Sequence, residues 1–124
     1  MRTSLFAFLL AASAMLAPAA DDVSLTGKWQ IQRSAGGNES QQDCTFTQKN
    51  NDLSGTCETA DRPSVQFTGK VEGKNVTWTY KTDSPGGPVT VIHKGVIDSP
   101  NKITGTLTAV EFSVDGEFTA TRSK

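Results

Sequence analysis

The sequence is poor in the side chains that most enzymes use for chemistry. Among its 124 residues there are one histidine, one tyrosine and two cysteines. A lone histidine without cysteine or carboxylate neighbours does not build a zinc site, and it lacks the partners of a serine triad. The chain also has no Gly-x-Ser-x-Gly elbow, no phosphate-binding loop and no pair of acids with an inward phase. We therefore expect a protein that is not an enzyme and that binds no metal or cofactor.

The chain also lacks a concentration of charge of either sign. Its 12 Lys and Arg residues are scattered among 13 Asp and Glu residues, for a formal net charge of −1. Binding of nucleic acid would need a basic stripe, and attraction to anionic lipids would need a polybasic run. Beyond residue 20, no apolar run is long enough to cross a bilayer. The sequence thus indicates neither a nucleic-acid partner nor insertion into a membrane.

The N-terminal apolar run has the pattern of a targeting segment. Arg2 precedes an apolar stretch over 5–12, and the small residues of 17–20 suit a cleavage site. The run is too short, and wrongly flanked, for a transmembrane helix. We expect residues 1–20 to be a secretory signal peptide and residues 21–124 to form one domain. Two cysteines suit the oxidising compartment this implies, so the mature protein should be soluble and either secreted or periplasmic.

No segment after residue 20 has sustained helical periodicity. Apolar and polar residues alternate instead, and turn-forming residues interrupt the alternation at short intervals. This pattern is typical of an all-β sandwich or barrel. The predicted strands are 25–34, 40–49, 52–60, 64–72, 75–82, 88–98, 102–110 and 116–123. We expect an all-β fold, an eight-stranded antiparallel up-and-down barrel.

A short repeat favours the closed barrel. An apolar residue, a Ser, Thr or Lys, and then a glycine recur at strand-like intervals; the glycines are Gly27, Gly55, Gly69, Gly95 and Gly105. Residues i and i+2 share a face of a strand, so each unit puts a large residue and a glycine on one side. Glycine inside a strand is useful where a sheet bends sharply, as a small barrel must. His93 stands out because it occupies the apolar position of its unit.

Two short turns predict how neighbouring strands pair. A turn at Asn50-Asn51 pairs Gln48 with Leu53, Phe46 with Gly55 and Cys44 with Cys57. A turn at Gly73-Lys74 pairs Val71 with Val76, Gly69 with Trp78 and Phe67 with Tyr80. In both hairpins a glycine faces an aromatic ring, which fills the space that the glycine leaves. The two cysteines fall at a non-hydrogen-bonded pair, where the strands are close enough for a disulfide.

The last hairpin and the connections define the two ends. Asp115-Gly116 predicts the last turn, but this choice puts Phe112 and Val114 off the inward phase, so we expect a bulge. The connections over 34–39, 60–63 and 83–87 are longer than those at the opposite end. In an up-and-down barrel they share one end, which is then an open mouth where small barrels commonly bind ligands.

Inward phase brings a few polar side chains to that mouth. The residues that converge there are Arg33, Gln42, Val65, Tyr80 and Val89. We predict that the ligand-binding residues are Arg33, Gln42, Trp78, Tyr80 and His93. For His93, the alternative is a core histidine that is hydrogen-bonded to a neighbour.

The chain resembles the calycin superfamily of lipocalins, fatty-acid-binding proteins and avidins. Gly27-Lys28-Trp29 opens the first strand, and Arg122 lies near the end of the last. The resemblance implies that Gly27, Trp29 and Arg122 are structural residues at the closed end, with the arginine packed over the tryptophan as a cation–π pair. Ile31, Ala35, Cys57 and His93 replace the residues that avidins use for biotin, so biotin binding is not expected.

A second resemblance is to periplasmic inhibitors of secreted bacterial metalloproteases. These are barrels of similar size with a Gly-x-Trp and one disulfide, and they insert their N-terminal residues into the zinc site of the protease. The corresponding segment here would be 21–24, although the spacing of the cysteines differs from that family. Our leading hypothesis is a non-enzymatic barrel that binds a small, partly apolar molecule at its open end. The alternative is a protein-binding module, such as an inhibitor of a secreted protease or other hydrolase.

Overall fold

The fold is a closed antiparallel barrel, as predicted. A computed structural model describes residues 24–60 and 62–123, so the predicted signal peptide lies outside the described residues. The strands are β1 (Gly27–Ala35), β2 (Asn38–Lys49), β3 (Asp52–Glu58), β4 (Val65–Glu72), β5 (Asn75–Ser84), β6 (Gly87–Ser99), β7 (Lys102–Ala109) and β8 (Val114–Arg122). Each strand pairs with the next, and β8 pairs with β1. Within this part of the chain, no helix is long and apolar enough to cross a membrane.

The predicted β2–β3 hairpin is confirmed residue for residue. Its ladder pairs Gln48 with Leu53, Phe46 with Gly55 and Cys44 with Cys57. The two cysteines form a disulfide, with their Cα atoms 4.0 Å apart. The bond closes a loop with a sequence separation of 13. A crosslink over such a loop stabilises a fold by about 3 kcal/mol in the chain-entropy account.

Two connections at the open end are tighter than predicted. Ala35 pairs with Asn38 around Gly36-Gly37, and Ser84 pairs with Gly87, so the strands continue almost to the reversal of the chain. The two glycines have φ angles of 59° and 83°, which a two-residue hairpin turn requires. The prediction of longer connections over 34–39 and 83–87 was therefore wrong. The connection between β3 and β4 is long, as expected.

The last hairpin reverses earlier than predicted. A 3-10 turn over Val110–Phe112 is completed by Ser113, which has the left-handed conformation with a φ of 53°. β8 begins directly afterwards, and Thr108 Oγ1 donates a hydrogen bond to Asp115 Oδ1 across the ladder at 2.8 Å. The turn at Asp115-Gly116 and the expected bulge were therefore wrong. The β7–β8 register is regular, and a register shift occurs instead between Ile97 and Ser99 of β6.

Aromatic rings fill the middle of the barrel. Phe46 contacts Phe67 and Trp78 edge to face, with ring centroids 5.1 Å and 5.2 Å apart. Trp78 in turn meets Phe118 edge to face at 5.2 Å. Such contacts add about 0.5–1.5 kcal/mol per pair to the burial of the rings. Glycines lie opposite three of these rings in the ladders, and the pairs are Phe46–Gly55, Trp78–Gly69 and Phe118–Gly105.

Arg122 covers the end of the barrel that carries Trp29. Its guanidinium carbon lies 4.6 Å from the Trp29 ring centroid, the contact that the calycin resemblance implies. Arg122 also donates hydrogen bonds to the carbonyl oxygens of Ser24 and Thr26, both at 2.8 Å. Leu25 is fully buried between them, and its carbonyl oxygen accepts a hydrogen bond from Trp29 Nε1 at 2.8 Å. The segment before β1 therefore closes this end.

The close approach of β4 and β5 depends on Gly69. A Cβ atom at this position would lie 2.8 Å from Trp78 Cα and would also collide with the carbonyl oxygen of Thr77. These backbone atoms belong to the β4–β5 ladder and cannot move independently. We predict that Gly69→Ala lowers the free energy of unfolding by at least ~2 kcal/mol in urea denaturation.

Gly86→Ala is the matched control for this substitution. The added Cβ would meet only the ring of Phe112 at 3.2 Å, and this ring is 43% exposed and able to rotate. We expect a change within ~0.5 kcal/mol. Equal effects of the two substitutions would contradict the assigned role of Gly69.

Candidate functional site

The inward residues change from apolar to polar towards the open end. On β5, Val76 and Trp78 are followed by Tyr80, and on β1, Ile31 is followed by Arg33. On β2, read towards the same end, Phe46 and Cys44 are followed by Gln42. Because all three strands have the same inward alternation, their polar residues lie in one layer.

Hydrogen bonds join this layer around the Tyr80 hydroxyl. Arg33 Nη1 donates to Tyr80 Oη at 2.7 Å, and Gln42 Nε2 donates to it at 3.2 Å. Tyr80 and Gln42 are 5% and 3% exposed, whereas Arg33 is half-buried at the rim. The hydroxyl oxygen thus accepts two hydrogen bonds, and its own hydrogen remains able to donate one to a third group.

A stacked pair of rings lies below this layer. The His93 and Trp78 rings are 4.7 Å apart at their centroids and nearly parallel, with an interplanar angle of 9°. Tyr80 lies 6.0 Å from the His93 ring, and Phe118 meets that ring edge to face at 5.0 Å. Both stacked rings are fully buried, so they form the floor beneath the polar layer.

Several buried polar atoms in these two layers have no hydrogen-bond partner among residues 24–60 and 62–123. They are both ring nitrogens of His93, Nε1 of Trp78 and Oε1 of Gln42. An unmet buried polar group costs about 1–3 kcal/mol. The alternative interpretation of His93, a core histidine bonded to a neighbour, finds no such neighbour here. The site therefore offers unused donors and acceptors in a mostly apolar setting.

The charge of the site resides on Arg33. Burial, together with the smaller effect of the nearby positive charge of Arg33, lowers the pKa of His93 to about 3. At neutral pH the imidazole is therefore uncharged, with one nitrogen as a donor and the other as an acceptor.

The barrel wall opens beside Tyr80, and this corrects the predicted pairing of Phe67 with Tyr80. The β4–β5 ladder ends at Thr68–Thr79, because β4 follows β3 while β5 follows β6 as far as Ser84. A groove of about 1010 Å³ lies at this opening, and Phe67 and Tyr80 are among its lining residues. We call it the β4–β5 groove. A second groove of about 500 Å³, lined in part by Arg33 and Phe118, lies over β1, β7 and β8.

The structure brings together the five residues predicted to bind a ligand. Arg33 and Gln42 contact Tyr80 directly, and Trp78 and His93 lie one layer deeper. The ligand-binding role itself stays a prediction. Sequence reasoning missed Thr59 and Ser40, whose hydroxyl groups accept hydrogen bonds from Gln42 at 3.3 Å and from Arg33 at 3.2 Å. Both are ordinary polar residues near strand ends, where nothing in the sequence sets them apart. Within residues 24–60 and 62–123, no group of His, Cys, Asp and Glu could hold a metal ion.

Known structures share the fold of this chain. No protein-family model matches the sequence, and no curated protein matches it significantly. A redesigned β-barrel has a TM-score of 0.62 and 20% identity, over 81% of this chain and 92% of that one. The redesigned barrel mFAP0, bound to DFHBI, has a TM-score of 0.56 and 24% identity, over 79% and 98% of the two chains. The redesigned barrel mFAP1, also bound to DFHBI, has the same TM-score and 21% identity, over 79% and 94%.

The neutral, buried state of His93 predicts a pH-dependent stability. An unfolded histidine has a pKa near 6.5, so below that pH the unfolded chain takes up a proton that the folded chain does not. The stability that the folded protein gains from holding the imidazole neutral is complete above pH 6.5. It is lost as the pH falls from 6.5 towards 3. We predict that the free energy of unfolding drops by ~2 kcal/mol from pH 7.5 to pH 5.

Urea denaturation at the two pH values measures this drop, in wild type and in His93→Phe. The phenylalanine variant keeps an aromatic ring on Trp78 but does not titrate, so its stability should change much less in this window. Most carboxyl groups titrate near pH 4, below the window. A wild-type stability that is the same at both pH values would show that His93 titrates normally.

Proposed function

We propose that this protein is a secreted, non-enzymatic barrel that binds a small, partly apolar molecule at its open end. The supporting observation is the layer of Arg33, Gln42 and Tyr80 above the buried His93–Trp78 stack, with hydrogen-bonding capacity left unused in both layers. Small-molecule sites are concave and mostly apolar, with a few directed polar groups that fix orientation. The open end has this composition.

The layer suggests how a ligand would be oriented. Arg33 and the hydroxyl hydrogen of Tyr80 favour an acceptor group on the ligand, because both present donors to the same rim. Val89, Val91 and Leu107 supply apolar wall at this end and are 5–7% exposed, unlike the fully buried middle of the barrel. In this proposal Trp78 and His93 form the floor of the site. Their unpaired nitrogens can form hydrogen bonds with a polar ligand atom or a bridging water.

The structural neighbours support the capacity of the fold for this role. mFAP0 and mFAP1 are barrels that match at least 79% of this chain, and each is bound to DFHBI. A barrel of this topology can therefore hold a ligand. The calycin assignment belongs to the same proposal and is supported by Arg122 over Trp29. Secretion is supported by the Cys44–Cys57 disulfide, which suits an oxidising compartment.

The inhibitor alternative gains no comparable support. It needs residues 21–24 to extend from the barrel into a protease, but residues 21–23 lie outside the described part of the chain. Ser24 is held at the closed end, where its carbonyl oxygen accepts a hydrogen bond from Arg122. Any inserting segment would therefore have to end before Ser24.

Native mass spectrometry of protein purified from its own host tests the proposed function. We predict a retained small-molecule adduct on the wild-type protein. Arg33→Met and Tyr80→Phe each remove one polar contact while keeping most of the side-chain volume. Each should reduce the occupied fraction by the equivalent of a ~10-fold weaker affinity.

Lys94→Met is the control, because Lys94 is exposed on the outer face of β6. It removes a positive charge from the surface and should leave the adduct unchanged. A wild-type protein without an adduct, or an adduct that persists in both site variants, would refute the proposal.

A further inference from the structure

The β4–β5 groove interrupts the hydrogen-bonded wall of the barrel. The β4–β5 ladder runs from Glu72–Asn75 to Thr68–Thr79 and then stops. On one side, β4 stays paired with β3 as far as Val65. On the other, β5 stays paired with β6 as far as Ser84. Residues 65–67 and 80–84 therefore have a strand neighbour on one side only, among residues 24–60 and 62–123.

The backbone phase shows which peptide groups face the opening on β4. Val71 N–H donates to the carbonyl oxygen of Asn51, on the β3 side, at 2.9 Å. Successive residues of a strand present their N–H and C=O groups to alternate sides. Thr68 and Gln66 therefore face β5. The ladder pairs Thr68 with Thr79, but it does not reach Gln66.

The same argument applies to β5. Ile97 N–H donates to the carbonyl oxygen of Lys74, so the even-numbered residues of β5 face β6. The odd-numbered residues Thr79, Lys81 and Asp83 face β4. The last two of these lie beyond the end of the ladder, so their N–H and C=O groups point into the groove.

A side chain already contacts one of these backbone groups. Arg62 Nη1 lies 3.4 Å from the carbonyl oxygen of Asp83, a long distance for a hydrogen bond. Arg62 is exposed and belongs to the connection before β4. A backbone N–H at the normal distance of about 2.9 Å would be a better donor to this acceptor.

We propose that the β4–β5 groove binds a short extended peptide segment of a partner protein, which pairs with β5 at Lys81 and Asp83 as an added strand. In this mode the main chain of the peptide supplies the hydrogen bonds. These two positions, which the β4–β5 ladder does not reach, lie two residues apart, about 6.7 Å along the strand, which is the repeat of a pairing strand. The site lies on the wall of the barrel and is separate from the small-molecule function proposed above.

The shape of the groove favours a flexible segment over the sheet edge of a folded partner. The groove has a volume of about 1010 Å³ and is bounded on both sides by strands, so an approaching chain must fit between them. The free edge of β4 is only three residues long, or about 10 Å. Thr and Ser side chains of β3 and β4 are prominent in the lining: Ser54, Thr56 and Thr68.

Proline substitutions test whether the edge is free. Proline removes the backbone N–H, which is harmful only where that group is bonded. Thr79 and Lys81 share one strand and one facing direction, but only Thr79 is in the ladder. We predict that Lys81→Pro leaves the thermal midpoint within ~5 °C of the wild type. Thr79→Pro should lower it by at least ~10 °C. Comparable losses in both variants would overturn the proposal.

Peptide binding is measured by NMR with a capped seven-residue peptide of alternating Thr and Val with a Lys at each end. At millimolar concentration it should shift the amide signals of Gln66, Lys81 and Asp83 and slow hydrogen exchange at Lys81 by at least ~10-fold. The same peptide N-methylated at every residue has no backbone N–H to donate from either edge and should not produce these effects. Lys81→Pro should abolish the response, and Lys81→Met should retain it.

Three results would refute peptide binding at this groove. They are no shifts at 65–67 and 80–84, equal shifts with the methylated peptide, or shifts confined to Arg33, Gln42 and their neighbours at the open end. The small-molecule adduct provides a separate readout. It should persist in Lys81→Pro, so loss of peptide binding and loss of the small-molecule function are distinguishable.

Discussion

The structure depends on the close approach of strand backbones around a layer of aromatic rings. Eight strands enclose an interior just wide enough for side chains, so a glycine opposite a large ring gives that ring the space it needs. Gly69 opposite Trp78 and Gly105 opposite Phe118 meet this requirement. Their ladders bring neighbouring backbones so close that an added methyl group would collide with a carbonyl oxygen. The same glycines therefore make room for the rings and let the neighbouring strands come close enough to close the barrel.

That constraint also decides where polar groups can lie. A middle layer filled by rings buries His93 completely, so the imidazole is held neutral and stacked on Trp78. One layer towards the open end, Tyr80 and Gln42 are slightly exposed and Arg33 is half-buried. In these two layers the charge lies on Arg33 at the rim, where its hydration is partly retained. Towards the open end, the inward polar groups change from buried and unpaired to partly solvated. Within the described part of the chain, the end covered by Arg122 has no such change.

The sequence predicted the features that follow from local phase and missed those that follow from how strands diverge. Alternation and the Asn50-Asn51 turn were enough to pair Cys44 with Cys57, because hairpin register depends on a few adjacent residues. The end of the β4–β5 ladder depends on which neighbour each strand follows, which no local pattern encodes. For the last hairpin, the Asp115-Gly116 dipeptide led to a prediction of the turn in the wrong place. The turn ends at Ser113, and a serine is a weaker sequence signal for a positive φ than Asp-Gly. Inward phase placed Tyr80 and Arg33 in one layer, but their hydrogen bond is a property of the closed barrel.

The two proposed sites lie where the packing constraint ends. At the open end the aromatic layer stops, and inward polar groups remain without full partners. At the β4–β5 groove the ladder stops one pair short of Tyr80, so this residue borders both sites. Its hydroxyl belongs to the polar layer, whereas its backbone is paired with Val91 of β6. A peptide paired with Lys81 would therefore lie beside β5, one residue along the strand from Tyr80 of the ligand layer. Coupling between the sites would pass through the position of β5, which no ladder holds to β4 over this stretch.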